Sequence, residues 1–133
     1  MVALSASSFS AVQVLAVAIG AAAGAVLRWR LSLWLNDSWH GFPVGTLLVN
    51  LLGGLLVGLA MSWFVRVPDD VWRLLIVTGL LGGLTTFSTF SAESLTLLMR
   101  GHWALATLHT LAHVFGSLVS AAIGFYLGRL FWD

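Results

Sequence analysis

Long apolar runs separated by short polar connectors dominate the pattern of this chain. Four runs approach the roughly 20 residues that a helix needs to cross a bilayer, and they cover residues 11–35, 44–65, 74–99 and 103–131. The connectors between them leave no room for a separate soluble domain. The pattern therefore predicts an all-α membrane protein in which residues 1–133 form a single domain with four transmembrane helices.

The composition supports this interpretation. Hydrophobic residues make up 59% of the chain and charged residues 8%, whereas soluble domains carry about 25% charged residues. Because the chain has no cysteine, it cannot form a disulfide framework or a thiolate metal site. Its formal charge of +1 is too small to indicate nucleic-acid binding.

The arginines are divided evenly between the two predicted sides of the membrane. One side carries Arg66, Arg73 and Arg129, and the other carries Arg28, Arg30 and Arg100. This balance gives no positive-inside bias, so the chain is expected to insert both ways and to form an antiparallel, dual-topology homodimer. The alternative is a single orientation set by other features, such as Asp69 and Asp70, and the charge count leaves both open.

The third apolar run contains an unusually polar stretch, GGLTTFSTFSAES, at residues 82–94. Paired glycines weaken a helix, and threonine hydroxyls can satisfy the carbonyls that a break sets free. The stretch therefore predicts that the third helix is broken. Broken membrane helices bind small cations through exposed carbonyls and anions at the N-termini of half-helices.

Two aromatic rings follow the predicted break. Phe87 and Phe90 lie three residues apart on one helical face, and Glu93 continues that line. Hydroxyl groups surround the rings, on Thr86, Ser88, Thr89 and Ser91, and the second helix offers Asn50 one turn after Thr46. Ring edges carry positive potential, so neutral donors and ring edges without a lysine suit a small, strongly hydrated anion.

Three segments of this chain are similar to a known family. GAAAGAVLRWR, GTLLVNLLGGLLVGL and TGLLGGLTTFSTFSAE begin at Gly20, Gly45 and Thr78, and they resemble the CrcB/Fluc fluoride channels of bacteria. The resemblance implies an antiparallel homodimer in the bacterial cytoplasmic membrane. It also implies two pores that export fluoride passively and so lower its concentration in the cell.

The resemblance also implies roles for individual residues. Phe87 and Phe90 would line the pore, and Asn50 would be a donor near them. The carbonyls of Gly82 and Thr85 would hold a structural sodium ion at the dimer centre. Arg28 would lie at the mouth of an aqueous vestibule. The pore would also include the hydroxyls of Thr86, Thr89 and Ser117.

The fourth helix differs from the family pattern, because one face carries His109, His113 and Ser117. Two histidines four residues apart can chelate a metal, but no carboxylate or cysteine lies near them in the sequence. Packed, hydrogen-bonded neutral imidazoles are therefore favoured over a metal site or a titrating gate. His40 and His102 lie in connectors and are expected to face water.

Other functions remain as alternatives. A small dual-topology, proton-coupled multidrug transporter fits the length, but it needs a carboxylate deep in the membrane, and Glu93 lies past the aromatic pair rather than in the first helix. A non-transporting assembly subunit needs packing faces but no polar track across two segments. An enzyme is disfavoured, since the spacing pairs no nucleophile with a base.

Overall fold

The computed structural model describes residues 10–36 and 41–132, and every regular element in them is a helix. His40 and the connector residues beside it lie outside this part. The elements are α1 (Ala11–Leu35), α2 (Val44–Phe64), α3 (Asp70–Arg73), a π-helix (Leu74–Leu81), α4 (Gly82–Leu84), α5 (Phe87–Met99) and α6 (Trp103–Trp132).

Within the described residues, four helical segments are long and apolar enough to cross a membrane. They are Ala11–Leu35, Val44–Phe64, Asp70–Met99 and Trp103–Trp132. The predicted four-helix membrane fold is therefore confirmed at this level. We call Asp70–Met99 the third span, since it contains α3, the π-helix, α4 and α5 in succession.

Polar caps fix where two of the helices begin. Ser10 forms a capping box with Gln13, in which each side chain bonds to the other's backbone nitrogen at 3.2 Å. Asp69 caps α3 by accepting a hydrogen bond from the backbone of Trp72 at 3.0 Å. That cap corrects the predicted boundary at residue 74, because it begins the helix within the segment that the sequence assigned to a connector.

Glycine faces bring the helices together in two pairs. Gly20 and Gly24 of α1 lie against the π-helix, and a Cβ on Gly79 would approach Gly20 to 2.9 Å. In the other pair α2 packs against α6, where a Cβ on Gly54 would lie 2.7 Å from the carbonyl oxygen of Ser117. Such close backbone approach is what glycine supplies in lipid, where no water is expelled on contact.

The third span is broken, as the sequence predicts, but the break lies just after the glycines. Gly82 and Gly83 remain helical in α4. Thr85 and Thr86 instead adopt extended conformations, with φ of −78° and −151°. The hydroxyl of Thr85 donates to the carbonyl of Leu81 at 2.9 Å and so supports the end of the helix.

Candidate functional site

Asn50 of α2 holds the break in place. Its Oδ1 accepts a hydrogen bond from the backbone nitrogen of Thr86 at 2.8 Å, and its Nδ2 donates to the Thr86 carbonyl at 3.0 Å. The same Nδ2 lies 3.0 Å from Nδ1 of His113 on α6. Since Thr86 fixes the orientation of the amide, Nδ1 of His113 acts as the acceptor, and the proton of the neutral ring is on Nε2.

Thr86 in turn begins the helix after the break. Its hydroxyl oxygen accepts from the backbone nitrogen of Thr89 at 3.1 Å, and its hydroxyl lies 3.0 Å from that of Thr89. Arg28 reaches the same place from α1, donating to the Gly83 carbonyl at 3.1 Å and to the Thr89 hydroxyl at 3.3 Å. Three of the predicted site residues therefore meet at the start of α5.

Several backbone carbonyls lose their helical partners at the break. In a continuous helix the Gly82 carbonyl would accept from Thr86, and the Thr85 carbonyl would accept from Thr89. Here the nitrogen of Thr86 donates to Asn50 and that of Thr89 donates to the Thr86 side chain. Gly83 is compensated by Arg28. The helical donors of the Gly82 and Thr85 carbonyls are thus used elsewhere.

The two phenylalanines touch but lie in different surroundings. Their ring centroids are 5.4 Å apart. Phe90 is 8% exposed and lies against the rings of His109 and His113, with centroid distances of 5.4 and 4.7 Å. Phe87 is 78% exposed and points away from the protomer. The pair therefore runs from the interior to the surface, and the ring of Phe87 is the exposed one.

A polar cluster continues inward from Phe90. Oε1 of Glu93 accepts a hydrogen bond from the Thr46 hydroxyl at 2.5 Å, while Oε2 lies 3.4 Å from Nε2 of His109. The other ring nitrogen of His109 lies 2.9 Å from the Ser94 hydroxyl. The sequence places Glu93 on the aromatic line but does not reveal its contact with His109, because that contact depends on how α5 packs against the next helix, α6.

Most of the predicted site residues line two adjoining cavities. The smaller, about 290 Å³, is lined by Asn50, Thr85, Thr86, Phe87, Phe90, His113, Val114 and Ser117. The larger, about 510 Å³, includes Gly82 and Thr85 among its lining residues. Arg28 and Thr89 contact the break through hydrogen bonds instead. A Cβ on Gly82 would meet only ordinary contact, 3.6 Å from the Val77 carbonyl.

Comparison with known proteins gives a consistent match. A family model described as "CrcB-like protein, Camphor Resistance (CrcB)" matches residues 15–125. A relative from Thiobacillus denitrificans is 52% identical over 115 residues, which are 84% of this chain and 92% of the relative. Relatives from Marinobacter nauticus and Escherichia coli O1:K1 are 54% and 49% identical over 114 residues, covering 84% of this chain and 90% of each relative. All three are named "Fluoride-specific ion channel FluC".

Proposed function

This chain belongs to the CrcB-like protein family, as its sequence motifs predict, and we propose that it is a channel through which fluoride leaves the cytoplasm passively. The observation that carries the proposal is the identity of about half of the aligned residues, over 84% of the chain, with relatives named as fluoride-specific channels. The protein crosses the membrane several times, and we place it in the bacterial cytoplasmic membrane.

The smaller cavity supports a route for the anion. It is lined by Phe87, Phe90 and Ser117 among others, and ring edges with hydroxyls are the weak neutral donors that a small anion needs when it sheds water. Thr86 and Thr89 extend the hydroxyl groups to the start of α5. The residues that line this cavity include no lysine or arginine, whose side chain would hold fluoride in an ion pair.

Asn50 takes part in this route through an exchange of partners. Both hydrogens of its amide are engaged, one by the Thr86 carbonyl and one by His113. The bond to Thr86 maintains the break, so the bond to His113 is the one that a passing fluoride replaces. When no fluoride is present, the Asn50 amide donates to His113 again. It therefore never lacks a hydrogen-bond partner, which would be costly in the membrane.

A second copy of the chain would complete the site. Phe87 is largely exposed in one protomer, and the larger cavity is an open groove beside the break. An antiparallel partner would cover both features, and the even arginine count supports insertion in the two orientations that such a partner needs. The proposed assembly is therefore a dual-topology homodimer with two pores.

The residues at the break fit a structural sodium ion. The carbonyls of Gly82 and Thr85 lack their helical donors, and both residues line the groove where the partner would sit. A sodium ion would neutralise these carbonyl dipoles at a junction that water leaves when the dimer forms. Gly82 and Thr85 would hold the ion in place, and it would support assembly rather than cross the membrane.

Fluoride efflux from vesicles that contain the purified chain alone tests this function. We expect rapid fluoride release once a cation ionophore balances the charge, with little chloride release under the same gradient. A proton-coupled exporter would instead exchange protons for a cationic drug, and an assembly subunit would do neither. Absence of fluoride release from correctly assembled protein would contradict the proposal.

A further inference from the structure

Three buried atoms of the polar cluster face one another without hydrogen-bond partners in residues 10–36 and 41–132. They are Oε2 of Glu93, Nε2 of His109 and Nε2 of His113. We propose that these three side chains form a binding site for a divalent transition-metal ion of the Zn²⁺ class. A carboxylate with two imidazoles is a ligand set that zinc uses in proteins, leaving one coordination position open.

The spacing of the side chains suits such an ion. Each of the three residues offers one ligand atom, and these atoms lie within 4.8 Å of one another. Oε2 of Glu93 and Nε2 of His109 are 3.4 Å apart. Two ligands bonded to one tetrahedral Zn²⁺ at about 2.1 Å are separated by about 3.4 Å, so this pair is already spaced as coordination requires.

Burial and the surrounding hydrogen bonds hold the ligands in position. His109 is 0% and His113 is 5% exposed, so their free nitrogens have no solvent to satisfy them. Ser94 contacts the far nitrogen of His109, and Thr46 contacts the far oxygen of Glu93. Partners of this kind orient metal ligands and make them better donors.

His113 must change its tautomer when it binds the ion. Its Nδ1 accepts a hydrogen bond from Asn50, which leaves the proton of the neutral ring on Nε2. Coordination through Nε2 needs the lone pair of that nitrogen, so the single proton of the neutral ring must move from Nε2 to Nδ1. Nδ1 and the Asn50 amide would then both be donors, so the ring moves away from Asn50 and toward the metal. Binding therefore changes the tautomer of His113 and costs the hydrogen bond between its Nδ1 and Asn50.

Direct binding to the purified full-length protein tests the site without measuring transport. We expect titration with Zn²⁺ in detergent to show saturable binding of one ion per chain. Co²⁺ at the same site should give the intense visible absorption of a tetrahedral complex and should be displaced by Zn²⁺. Weak octahedral absorption, or no saturable binding, would overturn the proposal.

Variants separate this site from adventitious binding. His109→Gln and Glu93→Gln each remove a ligand while keeping a polar side chain, and each should weaken Zn²⁺ binding at least about 100-fold. Ser94→Ala removes an outer contact and should weaken binding about 10-fold. The control is His102→Ala, because His102 is an exposed histidine in a connector. Equal affinity in His109→Gln and in this control, with both proteins folded, would overturn the assignment.

Failure of this inference is distinct from failure of the proposed function. Metal binding is measured at equilibrium on the isolated protein, whereas fluoride release is measured across a membrane. A chain that releases fluoride but binds no Zn²⁺ lacks the metal site. If the protein binds Zn²⁺ with the predicted variant pattern but releases no fluoride, the metal site is supported and the channel function is contradicted.

Discussion

At the scale of single residues, Asn50 joins three parts of the chain. It lies on α2, bonds in both directions to the backbone of Thr86, and donates to His113 on α6. The sequence predicts a polar role for this residue, since an amide in lipid must find partners. It could not identify them, because Thr86 and His113 lie 36 and 63 residues further along the chain.

Asn50→Asp should abolish fluoride flux and weaken the fold. Aspartate keeps the acceptor for the Thr86 nitrogen but cannot donate to the Thr86 carbonyl when ionised, and it places a negative charge beside the anion's route. A stranded buried carbonyl costs about 1–3 kcal/mol, so thermal unfolding should shift downward. Fluoride flux per assembled dimer and a melting curve measure the two effects.

Asn36→Asp is the matched control for this change. The side-chain oxygen of Asn36 accepts from the backbone nitrogen of Gly45 at 2.8 Å, and aspartate keeps that acceptor. Both flux and stability should therefore remain close to the wild type. Equal loss in the two variants would show that added negative charge, rather than the lost donor, explains the result.

Phe87→Ile and Phe90→Ile should both reduce fluoride flux steeply, because isoleucine keeps apolar bulk but removes the ring edge. Their effects on stability should differ. Phe90 is packed against two imidazoles, so its loss should cost up to about 1.5 kcal/mol. Phe87 is exposed in the protomer, so Phe87→Ile should change the stability of the isolated protomer little. Flux per assembled dimer, measured beside melting curves, separates the two effects.

Phe115→Ile supplies the control, since Phe115 is 60% exposed on α6 and does not line either cavity at the break. It should leave flux unchanged. If Phe87→Ile and Phe90→Ile transport as well as this control, the rings are packing residues and the proposed pore does not use them.

At the scale of elements, the sequence predicts the break in the third span but not every other feature of that span. The pattern of glycines and threonines predicts an interruption, and the hydroxyl bonds of Thr85 and Thr86 explain why it is tolerated in lipid. The start of the span was predicted too late, although Asp69 is a recognisable cap. The eight-residue π-helix at Leu74–Leu81 has no signal in the sequence that we can identify.

The sequence names candidate residues one by one, but it does not show how they cluster. The run of hydroxyls and rings in residues 82–94 indicates a polar path because such groups are costly in lipid. The meeting of Glu93 with His109 depends on how α5 packs against α6. Periodicity within one helix cannot reveal that contact, so the histidines appeared to lack a carboxylate.

Neighbouring glycines of α4 should respond differently to alanine. At Gly83 a Cβ would lie 2.5 Å from the Ala21 carbonyl oxygen, so Gly83→Ala should push α1 away and destabilise the protomer. At Gly82 a Cβ has room and the backbone is helical, so the protomer should tolerate Gly82→Ala. Gly82→Ala should instead weaken dimerisation and change its dependence on sodium, because the proposed partner and sodium ion lie next to Gly82.

Crosslinking of the purified protein with and without sodium measures this difference. The wild type should lose dimer as sodium is removed, and Gly82→Ala should show less dimer at every sodium concentration. Dimer content and fluoride flux that are unchanged after complete sodium removal would refute the sodium site at Gly82 and Thr85.

At the scale of the whole molecule, the proposed dimer requires both orientations in one membrane. The chain lacks cysteine, so single cysteines can report each side. Pro68→Cys and His102→Cys lie in exposed connectors at opposite ends of the third span. Each should be about half labelled by an impermeant reagent in intact cells. Full labelling of one with protection of the other would show a single orientation.

The helix pairing also bears on how the protein is made. α1 packs against the π-helix and α2 against α6, so each early helix has its main partner two spans later. A chain emerging from the ribosome therefore places α1 and α2 in lipid before either glycine face can be covered. The Gly54 face of α2 stays open until α6 arrives, and Gly128 of α6 contacts Ser62 only four residues before that helix ends. The arrival of α6, rather than the insertion of α2 itself, is therefore the step at which this glycine face is covered.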